Sequence, residues 1–148
     1  MRWVLAFSMI AVAALSAQPV QSARSTRSTT KGGYIVQHDA DVAKQEPGTH
    51  NGGGQTIGYS FFAKAPGLPL VFRKRALHPG SGIGLHTQTE DEIYYVLSGK
   101  GELTLDGERH DITPGTAILT RTGSSHSLKQ VGPEDLVIII TYPTAQAR

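Results

Sequence analysis

Residues 80–99 read GSGIGLHTQTEDEIYYVLSG, and this stretch decides the fold. Short apolar segments alternate with polar residues between two glycines, which is typical of β-strands joined by turns. Side chains two apart in a strand share a face, so His86 and Gln88 are expected to point the same way. The polar residues 89–91 predict a bend, after which Glu92 re-enters the same interior from the next strand.

A second stretch, residues 115–126, reads GTAILTRTGSSH. Its last residue, His126, follows a turn and opens a strand that would bring an imidazole to the same place. Two imidazoles and a carboxylate suit Fe(II), Mn(II), Ni(II) or Zn(II), and the Gln88 carbonyl oxygen would be a weaker fourth ligand. The sequence therefore predicts a divalent metal site made of His86, Gln88, Glu92 and His126. The alternative is a buried hydrogen-bonded cluster in a barrel without metal.

The two stretches together resemble the paired motifs of the cupin superfamily. The positions that match the motif spacing are Gly80, His86, Glu92, Gly99, Gly115, Gly123 and His126. Three positions depart from it: Gln88 stands where a second histidine is usual, Arg121 where proline is usual and Gln130 where asparagine is usual. The resemblance covers roughly residues 70–142. It implies a double-stranded β-helix that binds a metal and assembles as a homodimer.

The wider pattern of apolar alternation and turn residues predicts an all-β jelly roll in a single domain, residues 34–148. No sustained helical period of twelve or more residues occurs in this part of the sequence. An Asp106-Gly107 pair marks a tight hairpin. The predicted strands are 56–63, 70–78, 84–88, 93–97, 101–105, 109–112, 116–120, 127–131 and 136–142.

The last predicted strand, Leu136 to Tyr142, is apolar on both faces. One face is expected in the barrel core and the other against a second subunit, so this strand also favours a homodimer.

The N-terminal residues predict a secretory signal peptide. One arginine, Arg2, precedes a nearly continuous apolar run from Val4 to Leu15, and small residues follow. This run of 12 residues is shorter than the ~20 needed to span a bilayer, so we expect no membrane anchor after cleavage. Cleavage is expected after Ser16, Ala17 or Ala23. The prediction is thus a signal peptide at 1–23, a flexible polar leader at 24–33, and a periplasmic or secreted domain that contains no cysteine.

The charge of the chain gives no reason to expect a nucleic acid partner. The formal net charge is +2, and part of the basic excess lies in Arg2, Arg24 and Arg27, outside the predicted domain. The cluster at 73–75, Arg-Lys-Arg, could bind an anionic substrate, but a solvated strand face is the preferred interpretation. The other histidines are interpreted as surface or loop residues. Among them, His50 lies in the glycine-rich loop 50–54 and could approach a barrel mouth.

Two hypotheses about function follow. The first is a small metalloenzyme in which the ion polarises a sugar, uronate or keto acid for isomerase or lyase chemistry, or supports dioxygenation. The second is a non-catalytic protein that binds a small molecule or acts as a sensor, because a fold does not determine chemistry. If Glu92 points inward, Tyr94 does too, which makes its hydroxyl the one weak catalytic candidate. No catalytic acid or base is otherwise assigned.

Overall fold

The computed structural model of the protein describes residues 33–144. The predicted signal peptide, and all of the predicted leader except Gly33, lie outside the described residues. From Ile35 onward the chain forms one unit.

Ten β-strands make up nearly all of the regular structure. A short helix, α1 at Asp39–Val42, precedes them, and a single 3₁₀ turn occupies Thr49–Asn51. The strands are β1 Ala43–Pro47, β2 Gln55–Phe61, β3 Leu70–Leu77, β4 Gly82–Thr87, β5 Glu92–Ser98, β6 Lys100–Leu105, β7 Glu108–Ile112, β8 Ala117–Thr120, β9 Ser125–Val131 and β10 Leu136–Pro143.

The strands form two antiparallel sheets. The larger sheet has the order β1-β2-β3-β10-β5-β8, and the smaller has the order β4-β9-β6-β7. Successive strands cross repeatedly from one sheet to the other, as in a jelly roll. The all-β class and the double-stranded β-helix predicted from the sequence are therefore confirmed.

Nine of the ten strands coincide with predicted ones, with ends that differ by up to two residues. The tenth, β1, was not predicted because its sequence AKQEP has no apolar alternation. It is an edge strand held by backbone pairing to β2. The predicted hairpin is present, with Asp106 and Gly107 both at positive φ, as a two-residue turn between twisted strands requires.

The core lies between the two sheets and follows strict alternation. In β5, Tyr94 and Val96 are buried, whereas Ile93 and Tyr95 face outward. The central core residues come from both sheets: Leu77, Ile83, Tyr94, Val96, Leu103, Ile112, Ile118, Leu128, Leu136, Ile138 and Ile140. Among the described residues, no helix has the length and apolar character needed to cross a membrane.

Candidate metal centre

Neighbouring strands of the smaller sheet bring the two candidate histidines together. His86 in β4 is the cross-strand partner of His126 in β9. Directly opposed residues of antiparallel strands have side chains in contact. The two imidazoles meet edge to face, with ring centroids 4.4 Å apart.

The carboxylate comes from the opposite sheet. Glu92 begins β5 and is buried, and its Oε2 lies 3.5 Å from Nε2 of His126. One ligand atom from each of His86, Glu92 and His126 lies within 4.8 Å of the others. We call these three residues the triad. A divalent ion with ligands at about 2.0–2.2 Å fits such a separation.

Gln88 occupies the centre of the triad. Its backbone is fixed by the β8–β9 connection, donating to the carbonyl of Ser124 and accepting from the N–H of Gly123, each at 2.9 Å. Its amide nitrogen donates to Glu92 Oε2 at 2.6 Å and lies 3.2 and 3.4 Å from Nε2 of His86 and His126. The amide N–H group lies among three hydrogen-bond acceptors, in the position that a cation would take. These three acceptor atoms therefore fit a metal ion as ligands. A half-turn of the amide would present its oxygen to that ion as a fourth ligand.

Hydrogen bonds on the far side of each imidazole set its orientation. Nδ1 of His86 donates to the carbonyl oxygen of Gly84 at 2.9 Å, which leaves Nε2 unprotonated in the neutral ring. Nδ1 of His126 lies 3.0 Å from Oγ1 of the buried Thr120. Partners of this kind fix ring orientation at metal sites. Nothing in the sequence indicates that Thr120 contacts His126, because only the pairing of β5 with β8 brings Thr120 to the site.

Burial shifts the pKa values of His126 and Glu92. Desolvation, with smaller contributions from the charges of His86 and His50, lowers the pKa of His126 to about 4. The neutral imidazole that a metal requires is therefore its ordinary state near pH 7. Desolvation also raises the pKa of Glu92, against the opposing hydrogen bonds from Tyr94 and Gln88 and the charge of Arg73. A bound cation would favour the carboxylate form of Glu92.

Tyr94 adds a hydroxyl to the centre. This residue is buried, and its hydroxyl lies 3.1 Å from Nε2 of His126 and is hydrogen-bonded to Glu92. Desolvation and the neighbouring Glu92 charge raise the pKa of Tyr94 well above 10. The phenol therefore stays protonated and can donate a hydrogen bond. The inward orientation predicted from strand parity is confirmed.

A loop histidine, His50, forms one wall of the centre. Its ring stacks on that of His86, with centroids 3.6 Å apart and 4° between the planes. His50 and Asn51 both have left-handed backbone, with φ of 51° and 60°. The loop packs closely on β4, because a Cβ on Gly84 would overlap the carbonyl oxygen of His50. His50 is thus an exposed loop residue, as expected, and it does approach the barrel mouth.

The preferred interpretation of residues 73–75 as a solvated face was wrong for the two arginines. Arg75 is 2% exposed and donates to Oγ1 of Thr56 at 2.7 Å and to Oε2 of Glu46 at 2.9 Å. Arg73 lies 3.5 Å from the same Glu46 oxygen. Strand parity placed both arginines on one face, but it did not identify that face as the interior. Glu46 was missed because β1 was not predicted.

The buried Arg75 and Glu46 depend on a glycine in the strand between them. A Cβ on Gly58 would lie 2.6 Å from Oε2 of Glu46. The absence of a side chain there lets Glu46 reach from β1 across β2 toward β3. A buried guanidinium without a carboxylate partner would be costly, so the room that Gly58 leaves for the Glu46 side chain stabilises the interior.

These groups enclose a cavity of about 430 Å³ beside the triad. Its polar lining includes His50, His86, Gln88, Glu92, Tyr94, Arg73 and Arg75. Ile83 and Ile140 provide apolar surface. The volume and mixed lining are those of a small-molecule site.

Two departures from the expected motif have structural roles. Gln130 is buried, accepts from the N–H of Gly80 at 3.0 Å and donates to the carbonyl oxygens of Gly132 and Glu134. It ties together two turns at the end of the smaller sheet. Arg121 is exposed and pairs with Asp91 at 3.1 Å, beside the loop that carries Gln88.

Comparison with known proteins agrees with the fold. Residues 74–142 match the family described as the cupin domain. An oxalate-binding protein from Thermotoga maritima is 40% identical over 67 residues, which cover 45% of this chain and 55% of that protein. A 5-nitrosalicylic acid 1,2-dioxygenase from Bradyrhizobium sp is 25% identical over 69 residues, 47% of this chain and 33% of the dioxygenase. The chain thus spans about half of the first relative and a third of the second.

Among solved structures, a predicted oxalate decarboxylase from Thermotoga maritima superposes with a TM-score of 0.68. The two are 27% identical in sequence, and the match covers 74% of this chain and 98% of that one. The two sheets therefore form a known fold. Residues 74–142 thus match the model of the cupin domain, and the described residues have the double-stranded β-helix fold of the structure on which they superpose.

Proposed function

We propose that this domain binds a divalent transition metal through His86, Glu92 and His126 and uses it to hold a small carboxylate. The observation that carries the proposal is the convergence of three ligand atoms from two sheets on the amide nitrogen of Gln88. Burial of a carboxylate beside two imidazoles disfavours its charged form, and a bound cation would compensate for that. Mn, Fe, Ni and Zn all suit the donor set.

Because Glu90 and Glu92 also line the cavity, its charge favours an anionic ligand once an ion occupies the triad. Arg73 and Arg75 both line it, and both face the single carboxylate of Glu46. Arg75 lies 2.9 Å from Oε2 of Glu46, whereas Arg73 lies 3.5 Å from the same atom. The charge of Arg73 is therefore less well compensated than that of Arg75. An anion that reaches both the ion and this guanidinium would be better bound than a neutral sugar.

The names of the relatives are consistent with that ligand class. One is called an oxalate-binding protein and another a 5-nitrosalicylic acid dioxygenase, and oxalate and nitrosalicylate are both carboxylates. The ligand proposed for this chain is therefore a carboxylate with a second oxygen donor beside it, such as a dicarboxylate, a keto acid or a hydroxy acid. Uronates belong to the same class.

If the domain is an enzyme, Tyr94 is the side chain best placed to take part. Its protonated hydroxyl would donate to an oxygen of the ligand on which negative charge develops. Gln88 would orient the ligand, and Ile83 and Ile140 would exclude water from one side. The chemistry that an ion at the triad supplies is polarisation of a carbonyl or hydroxyl, or reaction with O₂.

The second candidate function is non-catalytic binding or sensing of the same carboxylate. It is favoured by the engagement of Tyr94 with both His126 and Glu92, which occupies the hydroxyl best placed for catalysis. Both candidates share the metal and the ligand and differ only in turnover.

One experiment tests the proposal and separates these candidates. The protein is purified without added metal, analysed for bound metals, and titrated with oxalate, pyruvate, galacturonate and glucose by calorimetry before and after removal of metal. We expect one ion per chain and metal-dependent binding of acids in preference to glucose. Turnover of a bound acid, measured with and without O₂, would identify an enzyme. Acid binding that is unchanged after removal of metal would contradict the proposal.

We also propose that the domain forms a homodimer. The outer surface of the larger sheet carries a group of exposed or half-buried apolar side chains, which we call the outer apolar face: Ile93, Tyr95, Leu97, Leu119, Val137 and Ile139. These residues are adjacent across β10, β5 and β8. A contiguous apolar patch on an ordered sheet is typical of a subunit interface.

Export to the periplasm or the outside remains a proposal that rests on the N-terminal sequence. Arg2 and the apolar run from Val4 to Leu15 are its only support. Fractionation with N-terminal sequencing of the mature chain would test it. A full-length chain retained in the membrane after a carbonate wash would contradict it.

A further inference from the structure

Tyr142 lies near the end of β10, on the side of the larger sheet that faces the interior. Ile138 and Ile140, four and two positions before it, are buried in the core, so strand alternation gives Tyr142 the same inner face. Tyr142 itself is half-buried, packs against the core and lines the cavity at the triad. It is therefore a wall of the proposed ligand site.

The register of the larger sheet places Tyr142 between the two charged ends of this cavity. On one side of β10, Arg73 of β3 is opposite Ile140, the inner neighbour of Tyr142. On the other side, Glu92 lies one position beyond the last backbone pair of β5 with β10, and so comes level with Tyr142. Neighbouring strands are about 4.8 Å apart, which separates β3 from β5 by about 10 Å. A ligand that reaches from an ion at Glu92 to Arg73 therefore crosses β10 at Ile140 and Tyr142.

Electrostatic coupling across β10 agrees with this placement. Desolvation and the Glu92 charge are the main causes that raise the pKa of Tyr94, and Tyr142 adds a smaller contribution in the same direction. Desolvation raises the pKa of Glu92, and the charge of Arg73 opposes that rise. Because such effects weaken with distance, the Tyr142 hydroxyl lies near that of Tyr94, on the triad side of the cavity.

The hydroxyl of Tyr142 is available to a ligand, whereas that of Tyr94 is not. The Tyr94 hydroxyl is engaged by His126 and Glu92. The Tyr142 hydroxyl has no hydrogen bond to another described residue, and it is not among the buried unpaired side-chain atoms of the described part of the chain. It is thus accessible and unpaired. A hydroxyl both donates and accepts, so its natural partner is a hydroxyl of the ligand.

We propose that Tyr142 is a specificity-determining residue that selects hydroxy dicarboxylates, acids with a hydroxyl between two carboxylates. One carboxylate reaches the ion at the triad, the other reaches Arg73, and the hydroxyl between them hydrogen-bonds to Tyr142. Ile140 contacts the carbon chain. This selection rests on the proposed function, because it requires a ligand that spans the ion and Arg73.

The test compares glutarate with 3-hydroxyglutarate, which differs only by a hydroxyl on the middle carbon. Both acids are titrated by calorimetry into the full chain loaded with Zn²⁺ and into the metal-free chain. We expect metal-dependent binding of both acids, with 3-hydroxyglutarate bound about three- to tenfold more tightly, which corresponds to one hydrogen bond.

Two matched variants locate the source of this preference. Tyr142→Phe keeps the ring that packs against the core and removes the hydroxyl. It should reduce the preference about three- to tenfold and leave the affinity for glutarate within about twofold of the original. Tyr95→Phe makes the same chemical change on the outer side of β5 and should leave the preference unchanged.

The possible failures are distinguishable. A preference that is unchanged in Tyr142→Phe, or a loss of affinity that is equal for the two acids, would overturn the role of Tyr142 and leave the proposed function in place. An equal fall in the preference in Tyr95→Phe would overturn it as well. Absence of metal-dependent binding of both acids would contradict the proposed function and the selection by Tyr142 together.

Discussion

The imidazoles of His50 and His86 lie face to face, with ring centroids 3.6 Å apart and only 4° between their planes. His86 is thereby held from two directions, by this stack and by the hydrogen bond from its Nδ1 to Gly84. Partial desolvation at the stack, with the charges of His86 and Arg75, lowers the pKa of His50, so the stacked ring is neutral near pH 7. His50 is consequently expected to keep a candidate ligand in place without bearing charge.

The first prediction concerns this stack. His50→Ala should weaken metal binding about three- to tenfold, because stacked aromatic pairs contribute about 0.5–1.5 kcal/mol. His50→Phe should retain most of the affinity, since it keeps the stacked ring and removes the nitrogens. Competition with a fluorescent chelator would measure both. Equal losses in the two variants would mean that a nitrogen of His50, rather than its face, contacts the ion.

The second prediction concerns the triad itself. His86→Ala and His126→Ala should each abolish stoichiometric metal, because two ligands from the remaining pair hold a divalent ion poorly. The exposed His110 on β7 provides the matched control, and His110→Ala should leave metal content unchanged. Elemental analysis measures the metal, and circular dichroism checks folding. Full metal content and thermal stability in His126→Ala would mean that this histidine is structural.

The third prediction addresses Gln88. Gln88→Ala should reduce metal affinity about tenfold, in the range found for residues that support a metal ligand or bind weakly themselves. Gln88→His should bind transition metals more tightly than the unaltered protein, since imidazole is a stronger donor than an amide oxygen for these ions. Calorimetry with Ni²⁺ and Zn²⁺ would measure both changes. Weaker binding in Gln88→His would show that the amide is required for its shape or hydrogen bonds.

Much of this centre could be predicted because it depends on short spacings. His86 and Gln88 are two apart, and strand alternation alone orients them together. The pairing of His126 with His86 could be predicted only from the expected fold. The spacing of the glycines indicated that fold. The ion pair of Glu46 with Arg75 could not be predicted, because it depends on an edge strand whose polar sequence resembles a loop.

The His50 stack was beyond sequence reasoning for a different reason. It requires two successive residues, His50 and Asn51, in left-handed backbone, which their identities permit but do not dictate. It also requires bare glycines on the facing strand, such as Gly84. Propensity describes one residue at a time, whereas this loop is set by backbone contact with β4.

The fourth prediction concerns pH and the hairpin at Asp106. Its Oδ1 accepts from the N–H of Ser125 at 2.7 Å, and this hydrogen bond is the main cause that lowers the pKa of Asp106 below 3.8. The carboxylate therefore stabilises the fold above pH 3.8, and the contribution disappears as the pH falls through the lowered value. Asp106→Asn should lower Tm at pH 7, and the difference should shrink below pH 3.8.

Asparagine tolerates the positive φ of position 106, so this substitution isolates the charge from the turn. Thermal melts of both proteins across the acid range supply the measurement. A Tm difference that is independent of pH would attribute the effect to geometry.

The fifth prediction concerns assembly. Ile139 belongs to the outer apolar face, whereas its neighbour Ile138 is fully buried in the core. Ile139→Asp should therefore give a folded monomer that retains its metal, and Ile138→Asp should not fold. Light scattering gives the mass of each. A monomeric unaltered protein would contradict the proposed dimer.

Gly58 connects the outermost strand of the larger sheet with the charge of the cavity at the triad. A side chain at this position would push aside the carboxylate of Glu46, which is the flexible end of its side chain. The same movement would leave Arg75 buried without its counter-ion and make the cavity more positive. Positions 46, 58 and 75 should therefore be inherited as a unit: among descendants of this sequence, a change at one would select for changes at the others. Ligand preference could then evolve through a residue that touches neither ligand nor metal.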